Sequence, residues 1–321
     1  MTPLRLGTRG SPLALVQARA VASRVAERSL HRCELVIIRT SGDQLSDRPL
    51  SEAGGKRLFV KEIEDALLSG AVDLAVHSSK DLPAELPAGL EIGAVLPRED
   101  PADVLVHAGT GPGEFRGLLA RLAPAARVGT GSVRRVAQLR GLLPQARFEL
   151  IRGNIDTRLR KLDRGDYDVL VLASAGLRRL GLADRISAAI PPEVCVPAPG
   201  QGIVAIEIRA GDAGVRGALE AVGDADTAAA FDAERALVAA LGGGCQMPIG
   251  ALCLATGELD LLGLVASLDG STVVRHRQRG PRGSASALGR QVADALIDQG
   301  AGEILARARA EGTSIADRHG P

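Results

Sequence analysis

Val196-Pro197-Ala198-Pro199-Gly200-Gln201-Gly202-Ile203-Val204-Ala205-Ile206-Glu207-Ile208-Arg209 is a proline- and glycine-rich break that runs straight into an apolar strand. Proline and glycine in alternation stop any regular element, and IVAIEIR resumes one with strand composition. A first break, Pro97-Arg98-Glu99-Asp100-Pro101, lies about a hundred residues upstream, the size of one ordinary domain. Two breaks around one α/β unit predict a second α/β domain inserted into the first, with Gln201 and Gly202 in the hinge between them. The expected division is 1–98 with 203–222 for the first domain, 99–202 for the inserted one, and 223–321 for a third. A ligand cleft between the lobes follows from this arrangement.

Outward from the breaks, both flanks alternate strand and helix. Leu4-Arg5-Leu6-Gly7 reads as a strand, and Ser11-Pro12 opens a helix with a capping hydroxyl and a proline at its first position. Glu34–Thr40 and Val72–His77 read as strands, and Phe59–Ser69 as an amphipathic helix stopped by Gly70. Past the first break, strands at Val104–His107, Ala126–Gly129, Phe148–Ile151 and Val169–Ala173 alternate with helices beginning near Gly113, Ser132, Asn154 and Ala175. This βαβ order predicts α/β lobes with mostly parallel sheets. From about Gly223 the character changes to a long Ala-rich helix (Thr227–Leu241), three short strands and a final helical region, a smaller α+β domain with an antiparallel sheet.

Composition narrows the class. The 321 residues are 45% hydrophobic and 24% charged, an ordinary globular balance. A net charge of +1 leaves anion binding to local clusters rather than to a global field. Arginines without interleaved aromatics argue against nucleic-acid binding. No apolar run is long enough to span a bilayer, and the first residues lack a signal-peptide core. Cys33, Cys195, Cys245 and Cys253 lack zinc-site spacing, so no metal is expected. A cytoplasmic protein with reduced thiols is expected.

The strand ends carry the chemistry, as parallel sheets dictate. His77-Ser78-Ser79-Lys80-Asp81-Leu82-Pro83 brings an ammonium and a carboxylate to one turn; the plainer reading is a polar β-turn closed by proline. Gly129-Thr130-Gly131-Ser132-Val133-Arg134-Arg135 places a capping Ser132 and two guanidiniums at a helix N-terminus, an arrangement suited to anions. Arg152 and Arg158 in RGNIDTRL and the arginine pair of AGLRRLG repeat the theme, and Arg9 and Ser11 come from the opening turn. Several cationic strand ends on one rim argue for a ligand with several negative groups. No Walker-type loop is present, which argues against a nucleoside triphosphate.

Leu241-Gly242-Gly243-Gly244-Cys245-Gln246-Met247-Pro248 is the other conspicuous stretch. Three consecutive glycines offer nothing to a core and read as making room for something. Two readings of Cys245 stand side by side, an accessible nucleophile and a small buried thiol in a turn.

GTRGSPLALVQA, HSSKDLP, GTGSVRR with QL two residues on, RGN followed by TRL, AGLRRLG, PAPGQG and LGGGCQMPIGA occur in the order and spacing of the porphobilinogen deaminase (hydroxymethylbilane synthase) family. The resemblance covers about Leu4 to Leu252, more loosely beyond. It implies two lobes like those of periplasmic binding proteins and a third domain carrying a dipyrromethane cofactor in thioether linkage to Cys245. It implies a transferase of tetrapyrrole and haem biosynthesis that joins four porphobilinogen molecules head to tail into hydroxymethylbilane, releasing ammonia. Asp81 then steadies the electron-poor azafulvene left when ammonia departs. Arg9, Ser11, Lys80, Ser132, Arg134, Arg135, Arg152, Arg158 and Arg179 match positions that bind cofactor or substrate carboxylates. Arg178 falls where the family varies; Gly131 and Asp156 are modest departures from its pattern. Lys56, Phe59 and Lys61 belong to or adjoin a loop that lies over the family's active site as a lid. The resemblance also implies a monomer that passes its product to the next tetrapyrrole enzyme. Two rivals remain from the residues alone: a cysteine-dependent transferase acting on another polyanion, and a two-lobed anion sensor.

Overall fold

A computed structural model describes residues 2–41, 60–109, 111–243 and 247–317. The first lobe opens with β1 (Leu4–Thr8) and α1 (Pro12–Arg28). The Ser11 hydroxyl accepts from the Ala14 N–H at 3.3 Å and Pro12 follows at the first position, so the helix starts where cap and proline dictate. β2 (Cys33–Ile37), α2 (Lys61–Leu68) and β3 (Leu74–Ser78) follow, then a 3₁₀ turn at Ser79–Asp81 and β4 (Leu90–Val95). The chain crosses to β5 (Asp103–His107), α3 (Phe115–Arg121), β6 (Arg127–Gly129), α4 (Val133–Leu139), β7 (Arg147–Glu149), α5 (Ile155–Asp163), β8 (Val169–Ala173), α6 (Ser174–Arg179) and β9 (Ala188–Ala189). It returns through β10 (Val204–Arg209) and α7 (Ala213–Leu219). The remainder forms α8 (Ala225–Ala240), β11 (Ile249–Thr256), β12 (Glu258–Ala266), β13 (Val273–Gly280), α9 (Ala285–Asp298) and α10 (Ala301–Asp317).

The two five-stranded sheets have the orders β2-β1-β3-β10-β4 and β7-β6-β8-β5-β9. In each, the fourth strand is antiparallel to both neighbours, and it is the one delivered by a crossing segment: β10 beside β3 and β4, β5 beside β8 and β9. The mostly parallel α/β lobes expected from the sequence are present, and β11, β12 and β13 form the antiparallel sheet of the α+β unit.

The crossings are held from three sides. The Glu99 N–H donates to Gly202 O at 3.1 Å, and a Cβ on Gly202, whose φ is +87°, would meet Glu99 O, so only glycine lets the two crossings touch. Glu234 of α8, fully buried, accepts from Arg98 Nη1 at 2.6 Å, from the Gly200 N–H at 2.6 Å and from the Cys253 N–H at 2.7 Å. The third domain also packs Leu252, Leu264 and Ala266 against Ala137 and Val196 of the second lobe.

Candidate active site

The β3 end places Lys80 and Asp81 on the 3₁₀ turn, whose first residue donates its N–H to Ile203 O at 3.0 Å. Gly200, with φ +72°, passes so close that a Cβ there would strike Ser79 Oγ. In the second lobe, the β6, β7 and β8 ends lead into α4, α5 and α6, which carry the arginines. Between the lobes lies a cleft of about 900 Å³. Arg9, Ser11, Lys80, Asp81, Ser132, Arg134, Arg135, Arg152, Arg158, Arg179, Gln201 and Gly202 all line it, joined by Arg235, Val238, Met247 and Ile249 of the third domain. Asp81 and Asp156 are the carboxylates among its described lining, and Asp156 is exposed and paired with Arg160 at 3.0 Å.

Positive charge is crowded here. Burial pushes the Lys80 ammonium down to about 8, with Arg135 and Arg134 adding to the effect and Asp81 and Asp103 opposing it. Arg158 is pushed down to about 10, first by burial and then by Arg135 and Arg152, against the pull of Asp81. Burial also lowers Arg179, whose Nη2 donates to Gly202 O at 2.7 Å.

Several placements differ from the sequence reading. Ser132 occupies the N-cap of α4, but its hydroxyl makes no capping bond; its own N–H donates to Thr130 Oγ1 at 3.3 Å. Arg134 and Arg135 are buried and already share a carboxylate that sequence reasoning missed, Asp103 at the head of β5. Arg134 Nη1 reaches Asp103 Oδ2 at 2.7 Å, and Arg135 Nε and Nη2 grip Oδ1 at 2.9 and 2.7 Å. Gln201 Nε2 completes the cluster at 2.9 Å. Burial alone would raise the Asp103 pKa, but the two guanidiniums outweigh it and hold the carboxyl well below the usual range. The available signal was a carboxylate placed directly before the apolar run VLV of the strand DVLVH.

Lys61 is the exposed first residue of α2, outside the cleft lining, with Nζ 3.6 Å from Asp65. Lys56, Phe59 and Cys245 lie outside the described residues. Beside the cysteine loop, Gly242 adopts φ +59°, and a Cβ on buried Gly243 would meet the tip of the Ile249 side chain. A turn accounts for Gly242, a reason beyond the clearance the sequence suggested.

A family model described as porphobilinogen deaminase, dipyromethane cofactor binding domain, matches residues 4–217, and one for the porphobilinogen deaminase C-terminal domain matches 228–298. The chain belongs to the porphobilinogen deaminase family. Porphobilinogen deaminase of Syntrophobacter fumaroxidans is 49% identical over 306 residues, covering 94% of this chain and 96% of that one. That of Chromobacterium violaceum is 46% identical over 313 residues, covering 97% and 99%. Among solved structures, the methionine-binding protein MetQ aligns with a TM-score of 0.43 at 12% identity, covering 68% of this chain and 89% of that one, too loosely to bear on function.

The family's cofactor is a dipyrromethane, whose acetate and propionate groups need several cationic donors, and the cleft residues fit it. Arg134 lines the cleft while its Nε is buried with no protein partner, and buried Ser79 Oγ is likewise unpartnered. Buried donors left without a protein acceptor are what a carboxylate-bearing ligand satisfies.

Proposed function

We propose that the cleft performs the reaction of the family: four porphobilinogen molecules are joined head to tail into hydroxymethylbilane with loss of ammonia at each addition. One observation carries this reading: cationic groups from strand ends of both lobes converge on one cleft across from Asp81. Each porphobilinogen adds two carboxylates, so a growing chain needs such a rim along its length.

Cys245 would hold the dipyrromethane through a thioether, and the bound group would supply a nucleophilic pyrrole α-carbon as primer. Arg134, Arg135, Arg152, Arg158 and Ser132 would hold its carboxylates and those of the units added. Arg9, Ser11, Lys80 and Arg179 complete the binding set. Asp81 accepts the incoming pyrrole N–H and opposes the positive charge that develops as ammonia leaves, an electrostatic role that grows stronger as the site excludes water. The same carboxylate relays the proton released when the ring regains aromaticity.

The reading extends to the organisation of the chain. The lobes are the discontinuous domain 1–98 with 203–222 and the inserted domain 99–202; Gln201 and Gly202 form the hinge, and 223–321 carries the tether. The enzyme acts as a cytoplasmic monomer and passes its product to the next enzyme of tetrapyrrole synthesis. Among the described residues no helix is long and apolar enough to cross a membrane.

Intact-mass spectrometry tests the tether. The purified protein is expected to carry an addition equal to two pyrrole units, absent in Cys245→Ala. An unmodified mass in active protein would rule the reading out.

A further inference from the structure

Arg235 lines the cleft from the third domain, on α8, and its guanidinium reaches across to the first lobe. Nη1 donates to Pro83 O at 2.9 Å and Nη2 to Ala84 O at 2.6 Å. These carbonyls belong to the second and third residues after Asp81. A planar fork that engages two successive carbonyls fixes their orientation as well as their distance. The fork is itself steadied, since its centre lies 5.3 Å from the ring centroid of Phe231, one helical turn earlier on α8.

Phe231 is buried and shares one apolar cluster with Leu82, the residue next to Asp81. A single turn of α8 therefore holds Leu82 through Phe231, and Pro83 and Ala84 through Arg235. On the other side, the Ser79 N–H is fixed to Ile203 O at 3.0 Å. Asp81 sits between these two anchors, one from the return crossing and one from the third domain.

We propose that Arg235 is a positioning residue for Asp81, tying the aim of that carboxylate to the seating of the domain whose loop carries Cys245. The inference rests on the reading of Asp81 given above. It makes the tether and the acid one mechanical unit, although they belong to different domains. A displaced third domain releases the 82–84 segment and misaligns the carboxylate at the same moment.

The test compares Arg235→Leu and Arg235→Lys with the wild type as holoenzymes, with porphobilinogen as substrate. A displacement of about an ångström at the reacting centre can cost roughly a hundredfold, so Arg235→Leu is expected to lower kcat about tenfold to a hundredfold. KM should stay within about twofold, because the change touches orientation rather than ground-state binding. The full mass addition should remain, and Arg235→Lys, with a single nitrogen for one carbonyl, should recover part of the loss. In an Asp81→Glu background, Arg235→Leu should cost less than it does alone, because a residue acting through Asp81 cannot add an independent loss.

An unchanged kcat overturns the inference. So does a raised KM at constant kcat, which would make Arg235 a binder of substrate carboxylates, and so does activity that falls only in proportion to cofactor content. Equal losses in the two backgrounds overturn it too. Asp81→Asn measured in parallel separates the two ideas: normal turnover there removes the reading of Asp81, whereas a large loss there beside normal Arg235→Leu removes only the positioning role.

Discussion

The two lobes repeat each other closely at one end and diverge at the other. At the amino ends of their parallel strands, each ties one strand, β1 or β6, to the residue before its parallel neighbour, β3 or β8, by the same kind of ion pair. In the first lobe, Asp73 accepts from the Arg5 N–H at 2.8 Å and from its Nη2 at 2.7 Å. In the second, Asp168 accepts from the Arg127 N–H at 2.7 Å and from its Nη2 at 2.9 Å. At the carboxyl ends, the first lobe presents Lys80 and Asp81 on one short turn, and the second presents arginines from three successive strand ends. The shared ends keep the fold and the divergent ends line the cleft, the side on which such sheets place ligands. On the proposed reading, one lobe brings the acid, and the other brings most of the cationic groups that line the cleft.

The most severe way to break this division is Asp81→Asn. The arginine rim remains, so the mass addition should persist while turnover falls by roughly 10²–10⁴, the range for a removed acid or base. Turnover near that of the wild type would mean that the second lobe performs the chemistry unaided.

The next largest effect sharpens a contrast inside the second lobe, between Asp103 and Asp168. Asp103 is fully buried and is the shared ion-pair partner of two buried guanidiniums, whereas Asp168 is about half exposed in its pair with Arg127. Asp103→Ala leaves two buried charges without a counter-ion and should cost about 3–5 kcal/mol of stability, read from urea unfolding. Asp168→Ala should cost no more than about 1 kcal/mol. Similar losses for the two would show that Asp103 is not the post on which Arg134 and Arg135 hang.

The same contrast marks how far the sequence could be read. Helix starts at Ser11-Pro12 and the two proline-rich crossings were legible because caps and breaks act locally. The residues lining the cleft were legible as a group, since strand ends converge whatever the details. What a side chain pairs with across the fold was not. Asp103 lies 31 residues from Arg134 and 98 from Gln201, and no local pattern records those contacts. Ala188–Ala189 is too short for any periodicity, and α7 carries little helix signal because its seven residues include Gly214 and Gly217. Gly243 is silent for the opposite reason: a missing side chain says that space is needed but not what fills it.

The smallest expected effect separates the lobes along the pH axis. Lys80 has its folded value pushed down to about 8, while an unfolded lysine titrates near 10.5. Below about 8 the ammonium is charged and, on the proposed reading, holds a carboxylate; as pH rises through that value the charge is lost and that binding should weaken. The stability linkage runs the other way, because between about 8 and 10.5 the unfolded chain binds more protons than the folded one, so this group's contribution to stability improves with pH. In the second lobe Arg158 is pushed only to about 10 and keeps its charge through most of this interval. KM for porphobilinogen in the wild type should therefore rise about threefold to tenfold between about pH 7 and pH 9, in line with one weakened charge-assisted hydrogen bond. Lys80→Gln should start from a higher KM and follow a flatter profile, whatever titration the substrate itself contributes. If the two profiles run parallel, the first lobe's ammonium holds no carboxylate, and all of the anion binding belongs to the arginines of the second.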